Sequence, residues 1–223
     1  MIYSVALDGP SGSGKSTIAS LLAQRLGLVH IDTGAMYRAV TYLCLLKGVN
    51  PKDEAAAVAL LPECDLQLTV QGEVFLNGQD ISKEIRSNEV SDNVSYIASY
   101  KDIRLFLIKK QREMAEKISV VMDGRDIGTY VLPQADVKIY QVASVEKRAD
   151  RRYKENIEKG IKCTYADILA NLKKRDYIDS HRAFDPLCPA PDAVILDTSE
   201  LSIPEVVDAC EKIIREKLKE KGK

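Results

Sequence analysis

Gly9-Pro10-Ser11-Gly12-Ser13-Gly14-Lys15-Ser16 is the stretch that decides how the rest of the chain is read. An apolar run over residues 2–7 precedes it, and residues 17–26 follow with helical periodicity. Strand, glycine-rich turn and helix are the setting of a phosphate-binding loop. Glycines let the backbone curl until successive N–H groups point into one concave nest. The helix that follows aims its positive N-terminal end at the same place. At this spacing Lys15 reaches the outer phosphates of a nucleoside triphosphate, and the Ser16 hydroxyl can ligand a magnesium ion. A glycine- and serine-rich surface turn is the competing reading, and it leaves the closing Lys-Ser pair unexplained.

The totals bound what surrounds the loop. The 223 residues, 45% of them hydrophobic, suffice for one large α/β domain or two small ones with a proper core. A formal net charge of -1 gives no basic excess for nucleic acid, so none is expected as a partner, and anion recognition falls to local arginines. The five cysteines (Cys44, Cys64, Cys163, Cys188, Cys210) are scattered without a Cys-x-x-Cys pair, which argues against a zinc site. Their odd number, and a first strand that leaves no room for a leader, predict reduced thiols and a cytoplasmic location. No apolar run approaches the ~20 residues that span a bilayer, so no membrane association is expected.

Outward from the loop, strands and helices alternate. Residues 4–7 read as a buried parallel strand with Asp8 at its carboxyl end, and 17–26 as a helix with Ile18, Leu21, Leu22 and Leu26 inward, ended by Gly27. Residues 28–31 form a second strand that delivers Asp32-Thr33-Gly34 to its carboxyl end, where open α/β sheets hold their ligands. Residues 35–47 are helical, closed by Gly48 and Pro51, and 54–61 form a short helix. The texture then changes. Leu66, Leu68 and Val70 alternate with polar residues, Gln71-Gly72 turns, 74–76 is apolar, Asn77-Gly78 turns, and Ile81 follows. This predicts a small antiparallel hairpin or meander, an insertion too short to bury a core of its own. Residues 88–118 are helical with a break near Tyr100, and 118–122 is an apolar run ending in Asp123-Gly124-Arg125-Asp126-Ile127-Gly128. A strand at 137–142, a charge-dense mobile helical lid at 144–160, a helix at 164–181, a strand at 194–196 and a helix at 203–218 complete the chain. The pattern predicts an α/β fold, a doubly wound parallel sheet with helices on both faces.

Charged residues add constellations. Asp123 closes a strand where phosphate-loop enzymes keep a magnesium-ordering carboxylate, and it is read as ordering magnesium or its water. Asp8 and Asp32 also end strands, and each serves equally as a site residue or as a cap for the next element. Arg148, Arg151 and Arg152 stand at i, i+3 and i+4 on one helical face. They form either a solvated surface or, as read here, a clamp that supplies positive charge as a phosphoryl group moves. Arg175, Asp179 and Arg182 share another stripe, as an intrahelical salt bridge worth ~0.3–0.5 kcal/mol or as a polar face toward a ligand. Arg38, Arg104 and Arg125 taken singly read as surface residues. His30 and His181 lack a nearby partner in sequence and read as structural, and no tyrosine spacing suggests base stacking.

Four ordered motifs, namely the loop, Asp32-Thr33-Gly34-Ala35-Met36-Tyr37-Arg38, Asp123-Gly124-Arg125-Asp126-Ile127-Gly128 and Arg175-Asp176-x-x-Asp179-x-x-Arg182, make the chain similar to the bacterial cytidylate kinases, a branch of the nucleoside monophosphate kinases. The resemblance covers essentially the whole length, β-rich insertion included. It implies one phosphate-loop kinase domain with a core at about 1–33 and 98–223, a monophosphate-binding region at 34–97 and the lid at 144–160. It implies ATP as donor with Mg2+, and CMP and dCMP as acceptors giving CDP and dCDP, in a monomeric enzyme. Gly9, Pro10, Ser11, Gly12, Ser13, Gly14, Lys15, Ser16 and Thr17 would hold ATP, with Ser16 and, through water, Asp123 at the metal. Thr33 and Tyr37 would flank the acceptor. Arg38, Arg125 and Arg182 would meet phosphate. Ser95, Arg104 and Asp126 would read the cytosine ring, and Arg175 and Asp179 the ribose. Lys15, Arg125, Arg148, Arg151 and Arg152 would carry the catalytic charge. The acceptor is already an ionised phosphate, so the chemistry needs no base. The rivals are a kinase of UMP, AMP, GMP or shikimate, and a nucleotide switch, whose usual Asn-Lys-x-Asp stretch is absent.

Overall fold

The structure, a computed structural model, describes residues 2–69, 71–158 and 160–222. In chain order, β1 (Ser4–Asp8) leads through the glycine loop to α1 (Lys15–Leu26), followed by β2 (Val29–Asp32), α2 (Thr33–Leu46) and the short α3 (Glu54–Ala59). An antiparallel meander of β3 (Leu66–Leu68), β4 (Val74–Leu76) and β5 (Gln79–Asp80) precedes α4 (Asn88–Ile97) and α5 (Lys101–Ala115). Then come β6 (Val120–Gly124), β7 (Val137–Val142), α6 (Val145–Glu158), α7 (Tyr165–His181), β8 (Val194–Asp197) and α8 (Ile203–Glu220).

The five long strands form one parallel sheet in the order β2-β6-β1-β7-β8. β1 is central and buried on both sides, which explains its unbroken apolar sequence. Its alternation sorts the core. Val5 and Leu7, with Val121, Val137 and Ile139, face Ile18 and Leu22 of α1 and Val207 and Ile214 of α8. Ala6, Ile31, Val120 and Met122 face the other way, against Ile108 of α5 and the π-helical turn Ile127–Val131. The register sets Leu7 and Asp32 opposite Asp123, so Asp8, Asp32 and Asp123 rise at the same edge of the sheet. That edge is where the strand order diverges on either side of β1, the usual crevice of a doubly wound sheet.

The meander has no core of its own. Leu66, Val74, Leu76 and Ile81 pack on Val40, Leu43 and Cys44 of α2. Its Asn77-Gly78 turn has φ of 52° and 78°, the left-handed pair of a type I′ hairpin, which only small or amide side chains accept cheaply. Val70, expected in this alternation, lies outside the described residues, as does Lys159 of the expected lid. The expected break at Tyr100 separates α4 from α5.

One core assignment is corrected. Leu21 does not face inward: α1 seals the sheet with Ile18, Ala19, Leu22 and Ala23, two i, i+4 pairs that form one stripe, and Leu21 sits beyond its edge beside Ile203 and Pro204 of α8. The five cysteines are free, and among the described residues no helix is long and apolar enough to cross a membrane.

Candidate active site

The glycine loop opens onto a cavity of about 960 Å³ that runs from Ser11 to Arg104. The loop owes its shape to its glycines. Gly9, Gly12 and Gly14 have φ of 149°, 75° and 90°. At Gly9 a Cβ would stand 2.0 Å from the backbone oxygen of Gln141, so β7 permits no side chain there. Lys15 is buried and arches over the loop, its Nζ donating to Pro10 O at 2.7 Å and to Ser13 Oγ at 3.1 Å. Burial, and then the positive charge of Arg125, push its ammonium well below the ordinary lysine value, while Asp123 and Asp8 pull the other way. Gln141 reaches from β7 to hold the Ser13 carbonyl.

Beside the loop stands Asp123. Its Oδ2 accepts from the Ser16 hydroxyl at 2.7 Å, its Oδ1 meets His30 Nε2 at 2.7 Å, and its backbone oxygen accepts from Thr33 Oγ1 at 2.7 Å. His30, without a partner near it in sequence, thus has one in Asp123, although it does not itself line the cavity. The parallel register that aligns β2 with β6 brings it to Asp123, and sequence distance conceals this. Burial works against its charge, yet the hydrogen bond and charge of Asp123 carry it above the usual histidine value. Of the two undecided aspartates, Asp8 acts as a cap, whereas Asp32 both caps a helix and lines the cavity. Asp8 accepts from the backbone N–H groups of Ile127 and Gly128 at 2.8 and 2.7 Å, and burial pushes its carboxyl up to about 7 against those donors. Asp32 caps α2 through Ala35 N at 2.9 Å and pairs with Arg38 at 2.8 Å.

Across the cavity the arginines converge, and the surface reading of Arg38, Arg104 and Arg125 is corrected: Arg104 is fully buried and the other two are half-buried. Helices bring them in from separate parts of the chain. Arg38 comes from α2, Ser95 from α4, Arg104 from α5, Arg125 and Asp126 from the end of β6, and Arg175, Asp179 and Arg182 from α7. Arg125 Nε donates to Asp179 at 2.9 Å, so that carboxylate pairs across elements and not within its own stripe. Burial, together with the charges of Arg125, Arg175 and Arg182, acts on Asp179, and the arginines hold its carboxyl below the usual range. Arg175 is pulled down to about 10, by burial first and then by Arg125. Arg104 donates to Asp126, to Asp185 at 3.2 Å and to Ala98 O at 3.1 Å, and Arg182 lies 3.5 Å from Asp126. Among the described residues, five buried donors on cavity-lining side chains have no hydrogen-bond partner: Tyr37 Oη, Arg38 Nε, Arg104 Nε, Arg175 Nε and Arg182 Nη2. Leaving a buried N–H or O–H unpaired costs about 1–3 kcal/mol, so this end is built to be completed by an acceptor-rich ligand.

The expected clamp is divided. Arg148 is buried and binds Asp176 at 2.6 Å and Ser11 O at 2.8 Å, so it braces the loop against α7. Arg151 holds Thr198 O at the end of β8 and Ser13 O at 3.4 Å, while Arg152 lines the cavity and pairs with Glu155 at 3.3 Å. Residues missed in sequence are Gln141, Asp176, Asp185 and the cavity-lining Lys83 and Arg86. Asp176 stood inside the fourth motif, and Gln141 carried a signal as the one glutamine in its strand, near the carboxyl end.

The family model described as cytidylate kinase matches residues 5–216. The cytidylate kinase of Bacillus licheniformis is 48% identical over 217 residues, covering 96% of each chain. That of Bacillus subtilis is 46% identical over 217 residues, 96% of this chain and 97% of its own. Among solved structures, a shikimate kinase from Bacteroides thetaiotaomicron superposes with a TM-score of 0.52 at 12% identity, over 96% of this chain and 99% of its own. A gluconokinase from Sinorhizobium meliloti gives 0.51 at 15% identity, over 96% and 92%. These two share the fold.

Proposed function

The chain belongs to the cytidylate kinase family, and from that we propose that it moves the γ-phosphoryl group of ATP to the phosphate of CMP or dCMP, with the glycine loop on the donor and the arginine wall on the acceptor. An oxygen of the acceptor phosphate attacks the γ-phosphorus, the bond from that phosphorus to the β–γ bridging oxygen breaks, and ADP leaves with CDP or dCDP formed. No proton has to be removed from the acceptor, so the work is positioning and charge stabilisation.

The observation that carries the reading is the set of buried donors, without a hydrogen-bond partner, on residues that line one cavity with the loop. Arg38 and Arg175 supply three of those nitrogens together with Arg104, and guanidinium groups fork onto phosphate oxygens. Next to them the charge balance changes. Arg104 and Arg182 lie against Asp126 and Asp185, so carboxyls offset the guanidinium charge there, which suits an uncharged ring. Asp126 beside Arg104 offers an acceptor and donors along one edge, which matches the amine of cytosine and its neighbouring ring nitrogen and carbonyl. Asp179, held ionised by its arginines, suits sugar hydroxyls. Lys15 and the loop N–H groups suit the donor phosphates, Arg125, Arg151 and Arg152 line the cavity that the two nucleotides would share, and Arg148 braces the loop from behind.

The Ser16 hydroxyl against the Asp123 carboxylate is an all-oxygen pair of the kind that hard cations take. Among the described residues no cluster of three or more His, Cys, Asp or Glu forms a closed cage, which fits an ion that keeps waters and substrate phosphates as ligands. Ser16, and Asp123 through water, would hold Mg2+, which when bound supplies positive charge beside the transferring phosphoryl group.

A panel of acceptors with ATP tests the reading. CMP and dCMP should be used in clear preference to UMP, AMP, GMP and shikimate. A preference for any of the last four would move the base-reading roles away from Ser95, Arg104 and Asp126.

A further inference from the structure

At the end of the cavity farthest from the loop, a single guanidinium serves two carboxylates. Nη2 of Arg104 donates both to Asp126 and, at 3.2 Å, to Oδ2 of Asp185. Asp126 lines the cavity, whereas Asp185 is not among the lining residues and stands behind the pair. Because both carboxyls sit on one nitrogen, they share a site, and like charges held that close make one of the pair take up a proton more readily than a lone carboxyl. The backbone holds Asp185 in place. Its φ of 53° is left-handed, its carbonyl accepts from Arg182 Nε at 2.6 Å, and Thr129 Oγ1 lies 3.5 Å from its Oδ1. The ionisable groups that face it are Arg104 from α5, Asp126 beyond β6, Arg182 from the end of α7 and Tyr37 from α2.

We propose that Asp185 is a specificity-determining residue for the acceptor base, acting through Asp126 and Arg104. With one proton held by the pair, the base end can offer an O–H. Once that proton has passed to solvent it offers only acceptors beside the guanidinium. Cytosine and uracil differ in just this respect, since one presents an amine and the other a carbonyl at the same ring position. Loss of the proton therefore favours cytosine over uracil. Burial, and then the neighbouring carboxyl of Asp126, raise Asp185 to about 8, so the pair changes charge close to neutral pH. This inference rests on the reading that the pyrimidine ring lies against Arg104 and Asp126.

The test is a competition between CMP and UMP for one enzyme with ATP, which cancels every pH effect on the donor, the acceptor phosphate and the fold. From about pH 6.5 to about pH 9 the ratio of kcat/KM for CMP to that for UMP should rise by about threefold to tenfold in the native chain. The Asp185→Asn and Asp185→Gly variants both accept a positive φ and keep the carbonyl that holds Arg182, and in them the ratio should be flat. Calorimetry of CMP binding near pH 8, in buffers of different ionisation enthalpy, should show proton release by the native chain, a readout independent of turnover and of either variant. A flat ratio in the native chain, an unchanged slope in Asp185→Asn, or CMP binding without proton release overturns the inference while CMP remains a substrate. Failure to phosphorylate either pyrimidine overturns the function reading as well.

Discussion

The two halves of the cavity are built by different means. The donor half is one contiguous loop, made largely of backbone N–H groups, and its geometry is set by three positive φ angles and by the proximity of β7. The acceptor half is made of side chains from α2, α4, α5, β6 and α7, and charge pairing holds it in shape. A backbone site is complete once the chain folds locally. A side-chain site exists only when distant elements have docked, so the same arginines that face the ligand also help to hold the fold.

That contrast can be broken by substitution. Lys15→Ala removes a charge aimed at the donor phosphates and should lower kcat by about 10³-fold while leaving the unfolding midpoint near or above the native one, because a buried ammonium has been removed. Near-normal turnover would contradict the donor role. Arg104→Ala should act in the opposite sense. It strands Asp126 and Asp185 in a buried site, and urea denaturation should register a loss of about 3–5 kcal/mol. A small loss there would mean that the acceptor half is not held by its charges.

Gly9→Ala sharpens the point about backbone. The added Cβ meets the Gln141 carbonyl, so the loop must shift, and thermal unfolding should show a loss of at least ~2 kcal/mol. Gly27→Ala has an equally left-handed φ of 68° but open space around it, and should cost about 1 kcal/mol. The effect at Asp8 shows only against pH. Its folded value, about 7, lies above its unfolded one, so its contribution to stability is fully present below about pH 4 and is lost as pH rises through about 7. Asp8→Asn should lack that decline between about pH 4 and about pH 7 in chemical denaturation. An unchanged slope would assign the decline to other groups.

The same contrast decides what could be read from residues alone. The loop, the order of strands and helices, the meander and the break at Tyr100 were all legible, because each rests on local periodicity or turn chemistry. Leu21 was misplaced because a one-residue step around a helix moves a side chain about 100°, and two leucines in a row do not say which faces the sheet. His30 looked isolated because its partner Asp123 lies one strand over, a contact made by sheet register. The arginines at 38, 104 and 125 looked like surface residues because nothing near them in sequence shows the carboxylates at 32, 126, 179 and 185 that meet them in space. Ordered motifs shared with a family pointed to Arg38 and Arg125, and alignment with the same family outside those motifs pointed to Arg104.

The central claim is that donor and acceptor phosphates occupy separate halves of one cavity. Calorimetric titration of CMP and, separately, of a non-hydrolysable ATP analogue into Arg38→Ala tests it most directly. CMP affinity should fall by about 10²-fold with the affinity for the ATP analogue unchanged within about twofold. Equal losses for the two nucleotides would contradict the division.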